Sequence, residues 1–104
     1  MKIHLATELA EAVVQPTLGG WLTRYARTVE GHGRVEVIHH DPEVEARYPR
    51  EMWSGNPILF PMVSFNHLPG TDNHYEWKGL RFPLPQHGFA RRTPWKVAEQ
   101  TAHS

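Results

Sequence analysis

"LGGWLTRYARTVEGHGRVEVIHH", residues 18 to 40, is the stretch whose reading decides the fold. Gly19-Gly20 reads as a turn and the residues after it as a strand. With a period of two, Trp21, Thr23 and Tyr25 share one face and Leu22, Arg24 and Ala26 the other. "EGHG" (30 to 33) is a tight glycine turn. "RVEVIHH" is the return strand, carried by the β-branched Val35, Val37 and Ile38. The pair predicts a β-hairpin.

Working outward, the same grammar continues. "LAEAVVQ" (9 to 15) fits either a short helix or a strand, and Pro16 ends it in both cases. "DPEVEARYPREMWSG" (41 to 55) is charged and twice broken by proline, so a loop with at most one helical turn is expected. "NPILFPMVSF" (56 to 65) is an apolar run bounded by prolines and short enough for a buried strand. "HYEWKGLRFPL" (74 to 84) predicts a second hairpin turning at Lys78-Gly79. "PWKVAEQ" (94 to 100) opens one more strand. Of nine prolines in 104 residues, eight fall from position 42 onward and forbid long helices there. Short strands joined by Gly/Pro turns predict an all-β protein.

Composition narrows the function classes. Lys plus Arg and Asp plus Glu both count 11, so no basic excess supports binding of nucleic acid through its phosphates. With no Cys, thiolate zinc sites and disulfides are excluded. No run of about 20 apolar residues is long enough to cross a membrane as a helix. A soluble, cytoplasmic protein without a membrane or nucleic-acid partner is the expectation. The apolar fraction is 39%, modest for covering the edges of a sheet. Residues 1–104 therefore read as part of a larger β-sheet protein rather than a finished one, with self-association through open edges expected.

Eight histidines invite a search for metal ligands. His39-His40, adjacent on a strand, point to opposite faces and read as a solvated strand end. His67, His74, Glu76 and His87 lack the alternation along one strand that a cupin-like metal barrel uses, so no metal and no cofactor are expected. Trp21, Trp53, Trp77 and Trp95 read first as core residues and second as platforms for sugar rings. In "PLPQHGFARRTPW" (83 to 95), Gly88 permits a bend or a close approach to a ligand. Gln86, His87 and Arg91 offer the mixed donors and acceptors that a polyhydroxyl ligand needs. Read alone, the same residues are ordinary: Arg91 paired with an acidic neighbour, and His87 capping a turn.

"GNPILFP" (55 to 61), "YEWKGLRFPLPQHGFAR" (75 to 91), the following Trp95 and the early "PTLGGWLTRY" (16 to 25) together resemble the aldose 1-epimerase (galactose mutarotase-like) family. The likeness is nearest its hexose-6-phosphate epimerase-like branch and runs from about Ala12 to Val97, over the amino-terminal part of a longer domain. It implies a partial antiparallel β-sandwich and cofactor-free interconversion of sugar anomers, with a hexose or related sugar as ligand. It implies too that His87 contacts sugar hydroxyls while Gln86 and Arg91 line the pocket. Ring opening needs an acid on the ring oxygen and a base on the anomeric hydroxyl. The family takes these from a later His and a much later Glu. Neither is present, since Glu99 and His103 lack the family context, so no catalytic residue is expected within the chain. Trp53 stands where the phosphate-preferring branch has an Arg, and Ser64-Phe65 where other branches have Gly-Arg. A cation for a phosphate is therefore missing from both places. A non-catalytic carbohydrate-binding module is the alternative, and a cupin-like metal enzyme comes third.

Overall fold

The structure, a computed structural model, describes residues 1–101; His103 lies outside them. Four antiparallel strands form a meander in chain order: β1 (Ile3–Ala6), β2 (Ala10–Gln15), β3 (Trp21–Val29) and β4 (Gly33–Glu36). β1 is an element the sequence reading did not contain. It is closed onto β2 by Thr7, whose Oγ1 accepts from the Leu9 and Ala10 amides at 3.3 and 3.0 Å. The helix-or-strand ambiguity at 9 to 15 resolves as strand, because β2 is paired on both sides and its Val13 and Val14 suit a pleated surface. Pro16 then starts a 3-10 turn (Pro16–Leu18). The glycine turn of the β3–β4 hairpin lies where expected, but β4 ends at Glu36. His39 and His40 are therefore not a strand end.

The expected face assignment of β3 needs correction. Val14 pairs with Leu22 and Val13 with Arg24, so Thr23 is an extra residue with no partner of its own on β2. Such a bulge reverses the alternation beyond it. Trp21 lies opposite Gln15, Arg24 opposite Val13 and Ala26 opposite Glu11, all on one face. Tyr25 moves to the face of Leu22. On the Trp21 face Arg24 bridges Glu11 and Glu36, and Arg34 reaches Glu11 at 2.7 Å.

The turn after the meander carries the helix α1 (Pro42–Ala46). Asp41 caps it by accepting from the Glu43 amide at 2.9 Å, proline occupies the first turn, and Glu43 and Glu45 lie near the positive end. The helix delivers Val44 to a small core of Trp21, Val44 and Met52, flanked by Leu18 and Tyr48. His40 joins this core. It stands edge-on to Trp21 at 5.2 Å, with Nε2 on Glu45 at 2.9 Å and Nδ1 on Ser54 Oγ at 3.2 Å.

Residues 56 to 65 do not form the buried strand expected of them. They are joined to the rest by two isolated bridges, Leu22 with Asn56 and Phe60 with Gly88, and by hydrogen bonds between Ser64 and His87, and Ile58, Phe60, Val63 and Phe65 are exposed. A minimal pair, β5 (His67–Leu68) with β6 (Thr71–Asp72), precedes the expected second hairpin, β7 (His74–Trp77) with β8 (Leu80–Pro83). That hairpin turns at Lys78 and Gly79, both at positive φ, which matches the twist of the flanking strands. Residues 94 to 101 run without regular structure, so the last expected strand is absent. Among the described residues no helix is long and apolar enough to cross a membrane. Over the described residues the fold is all-β apart from α1 and two 3-10 turns.

Candidate functional site

The segment carrying Gln86, His87 and Arg91 is held by contacts that leave little freedom. Gly88 pairs with Phe60, and the amides of Phe89 and Ala90 both donate to the Phe60 carbonyl, at 3.0 and 3.2 Å. A Cβ on Gly88 would lie 2.1 Å from that carbonyl oxygen, and its φ of 73° disfavours any other residue. Gly88 thus serves a close approach to backbone, rather than the approach to a ligand that its sequence context suggested. The 3-10 turn Ala90–Arg92 follows. It rests on the 3-10 turn that follows β2: a Cβ on Gly19 would lie 2.1 Å from the Arg91 carbonyl oxygen. Trp95 donates its amide to the Pro16 carbonyl at 2.9 Å and its indole N–H to Ala90 at 3.0 Å.

This docking places Gln86, His87 and Arg91 on the wall of one open cavity of about 440 Å³. Opposite them come Arg50, Glu51, Met52 and Trp53 from the loop after α1, with Arg92 beside them. The three predicted residues therefore share a site, and the chain adds two cations, a carboxylate and an aromatic ring to it. Arg50, Glu51 and Arg92 had no signal in the sequence beyond their charge. Arg50 and Glu51 are placed by Met52, which follows them in the loop and is buried in the core, and Arg92 by the 3-10 turn Ala90–Arg92.

Arg91 is only 9% exposed. One Nη2–H donates to the Gln86 carbonyl at 3.1 Å, while its buried Nε has no partner. The ordinary reading, a pair with an acidic neighbour, does not hold for it. Burial, then the charge of Arg92, draws its pKa down from the usual guanidinium value. His87 combines turn and site. Its amide donates to the Ser64 carbonyl at 2.8 Å, and the Ser64 amide donates to His87 Nδ1 at 2.7 Å. Burial and then nearby Arg91 lower its pKa, so it is neutral at pH 7. Glu51 accepts from Arg47 at 2.8 Å and from the Trp53 indole at 3.3 Å, and these two hydrogen bonds hold it below its ordinary value.

Three of the four tryptophans are not core residues. Trp53, Trp77 and Trp95 are 64%, 63% and 44% exposed, and Trp53 lines the cavity. The histidines do not gather: His67 pairs with Asp72, His74 donates to the Asp72 carbonyl, and His87 Nδ1 is taken by the Ser64 amide. Among the described residues no three His, Asp or Glu side chains are grouped for a metal ion. A larger groove, about 650 Å³, runs along the Trp21 face of the sheet between Lys2, His4, Arg24, Glu36 and His39.

The strand order and these turns belong to the galactose mutarotase-like fold. A galactose mutarotase related enzyme from Lactobacillus acidophilus superposes with a TM-score of 0.69 at 23% identity, over 98% of this chain and 29% of that one. The Slr1438 protein from Synechocystis sp. PCC 6803 superposes with a TM-score of 0.77 at 31% identity, over 99% of this chain and 33% of that one. The chain thus spans 29–33% of the length of these two structures. No family model and no curated protein matches the sequence.

Proposed function

We propose that this chain supplies one wall of a sugar pocket in an aldose 1-epimerase-like protein, binding a hexose or related sugar without a cofactor. The observation that carries the reading is the convergence of Gln86, His87 and Arg91 with Trp53 on one cavity. A sugar needs hydrogen-bond partners around its rim and an aromatic ring against its apolar face. The cavity offers both. Arg50, Arg91 and Arg92 set three guanidiniums against the single carboxylate of Glu51. The cations absent at positions 53 and 64–65 are thereby replaced from neighbouring positions, and a phosphorylated sugar should bind more tightly than a neutral one.

Binding is better supported than chemistry. Mutarotation needs a base able to take the anomeric proton. Glu51 is tied to Arg47 and Trp53 with its pKa held down, which makes it a weak base. The acid and base of the full reaction are therefore assigned outside this chain, and a purely binding role is the second reading that this same observation favours. NMR titration with glucose, galactose and glucose 6-phosphate tests the site, and polarimetry tests the chemistry. Binding of the phosphorylated sugar with no mutarotation above buffer is expected. No shift at residues 86 to 91 with any of the three would refute the pocket. A protein-dependent rate would place an acid–base pair within the chain.

A further inference from the structure

We propose that the turn at Ser64 fixes His87 in one tautomer, as a donor-only imidazole that meets an acceptor oxygen of the ligand at Nε2 and lets go when Nδ1 takes up a proton. The inference rests on the sugar-binding reading for the ligand alone; the tautomer follows from local geometry. A backbone N–H can only donate, so the 2.7 Å contact from the Ser64 amide requires an unprotonated Nδ1. A neutral ring must then carry its proton on Nε2. Nε2 is the ring nitrogen left for a ligand, and it offers a donor with no acceptor role. An oxygen lone pair can sit there, whereas a hydroxyl that must donate cannot use it.

The lock has a cost that marks it as more than a turn. Ser64 and His87 both adopt the left-handed backbone region, at φ 73° and 62°. For residues other than Gly this is a strained conformation. The reciprocal pair, His87 N–H to Ser64 oxygen and Ser64 N–H to His87 Nδ1, offsets that strain. Protonating Nδ1 would set two donors face to face, so that bond must open and the ring turn away from Ser64, leaving only the His87 amide on the Ser64 carbonyl. The charged groups around the cavity add to the effect: Arg50, Arg91 and Arg92 oppose an imidazolium, and Glu51 is already engaged with Arg47 and Trp53. The lowered pKa of His87 agrees. The sign follows. The neutral form belongs to the folded state, so the stabilisation is complete above about pH 6.5, the ordinary histidine value, and is lost as pH falls through the lower folded value.

The test begins without sugar. Two-bond ¹H–¹⁵N NMR of the ring, assigned through loss of the signals in His87→Gln, reads the tautomer directly. A single Nε2–H tautomer at neutral pH and a titration midpoint below about 6.5 are expected. An Nδ1–H ring, or a midpoint at or above that value, would overturn the proposal whatever the chain binds. A semisynthetic chain with an ester in place of the Ser64 amide removes only the donor. It should release the tautomer and raise the midpoint; an unchanged ring would refute the role of Ser64. Glucose or galactose, whose charge is constant over this range, then reads the gate. Affinity should fall about tenfold per pH unit below the midpoint. A pH-independent affinity with the tautomer intact would overturn the gate, and no binding at any pH would count against the sugar reading instead.

Discussion

At residue scale, Arg91 and His40 separate binding from folding. Arg91 sits on the cavity wall with its guanidinium fork largely buried and an Nε that no described group satisfies. Arg91→Ala should weaken sugar binding by about 1.5–3 kcal/mol, the usual worth of hydrogen bonds to a charged group. Calorimetry of the variant against the native chain reads it directly. His40 was expected to be solvated, yet it packs on Trp21 and links Glu45 to Ser54. His40→Ala should therefore leave sugar affinity within twofold of native while lowering the urea midpoint. The stability loss should be about 1–3 kcal/mol, because Glu45 and Ser54 lose a partner in a half-buried place. Equal effects of the two substitutions on affinity would mean that the motif at 86 to 91 is structural.

The decisive element is β3. Its bulge at Thr23 turns Trp21, Arg24 and Ala26 to one face, so the strand buries Trp21 against α1 and still carries the Glu11–Arg24–Glu36 bridges beyond it. Trp21 also anchors the loop after α1: its indole N–H donates to the Ser54 carbonyl at 2.9 Å. That loop brings Arg50, Glu51 and Trp53 to the cavity. Trp21→Phe should leave the Ser54 carbonyl buried without a donor and open a space beside Val44, costing about 1–3 kcal/mol for the carbonyl alone. Urea unfolding reads the stability, and the Trp53 environment, followed by ¹⁹F-labelled tryptophan, reads the loop. A variant as stable as native, with Trp53 unmoved, would show that the loop is held from elsewhere.

At the scale of the molecule, the surface is larger than the length requires. A folded monomer of this size exposes about 6000 Å², and this chain exposes 7363 Å². Its radius of gyration is 17.0 Å, against about 13 Å for a typical domain of this length. The excess includes Phe60, Val63, Phe65 and Phe89, and the outer edges of β1 and β4 are unpaired within the sheet. Each apolar side chain left in water forfeits roughly 1.5–3 kcal/mol, and a few of these equal the 5–15 kcal/mol or so of a whole domain. The 104-residue chain on its own should therefore self-associate or melt without a sharp transition at neutral pH. Sedimentation velocity over a range of concentration and a thermal scan check this; a monomer with a reversible, cooperative transition would contradict it.

The sequence by itself determined the elements whose causes are local. The turns at 30 to 33 and at Lys78-Gly79, the single helical turn at Pro42 and the all-β class each follow from a glycine, a cap or a proline acting on its neighbours. That Gln86, His87 and Arg91 lie together was equally legible, because one short motif holds all three. What depended on contacts between distant residues was not. The bulge at Thr23 arises from pairing with β2, and an extra residue leaves no mark in the alternation that reveals a strand. The apolar run at 56 to 65 has a strand's composition, yet it pairs with the rest through two isolated bridges, at Leu22 and Gly88, and through the Ser64–His87 turn, so no strand runs alongside to make it one. Arg50, Glu51 and Arg92 entered the cavity because Met52 and Trp21 pack together and Gly19 admits the Arg91 backbone. Only the tertiary structure decided these, since each rests on which surfaces bury one another, and burial is a property of the folded chain.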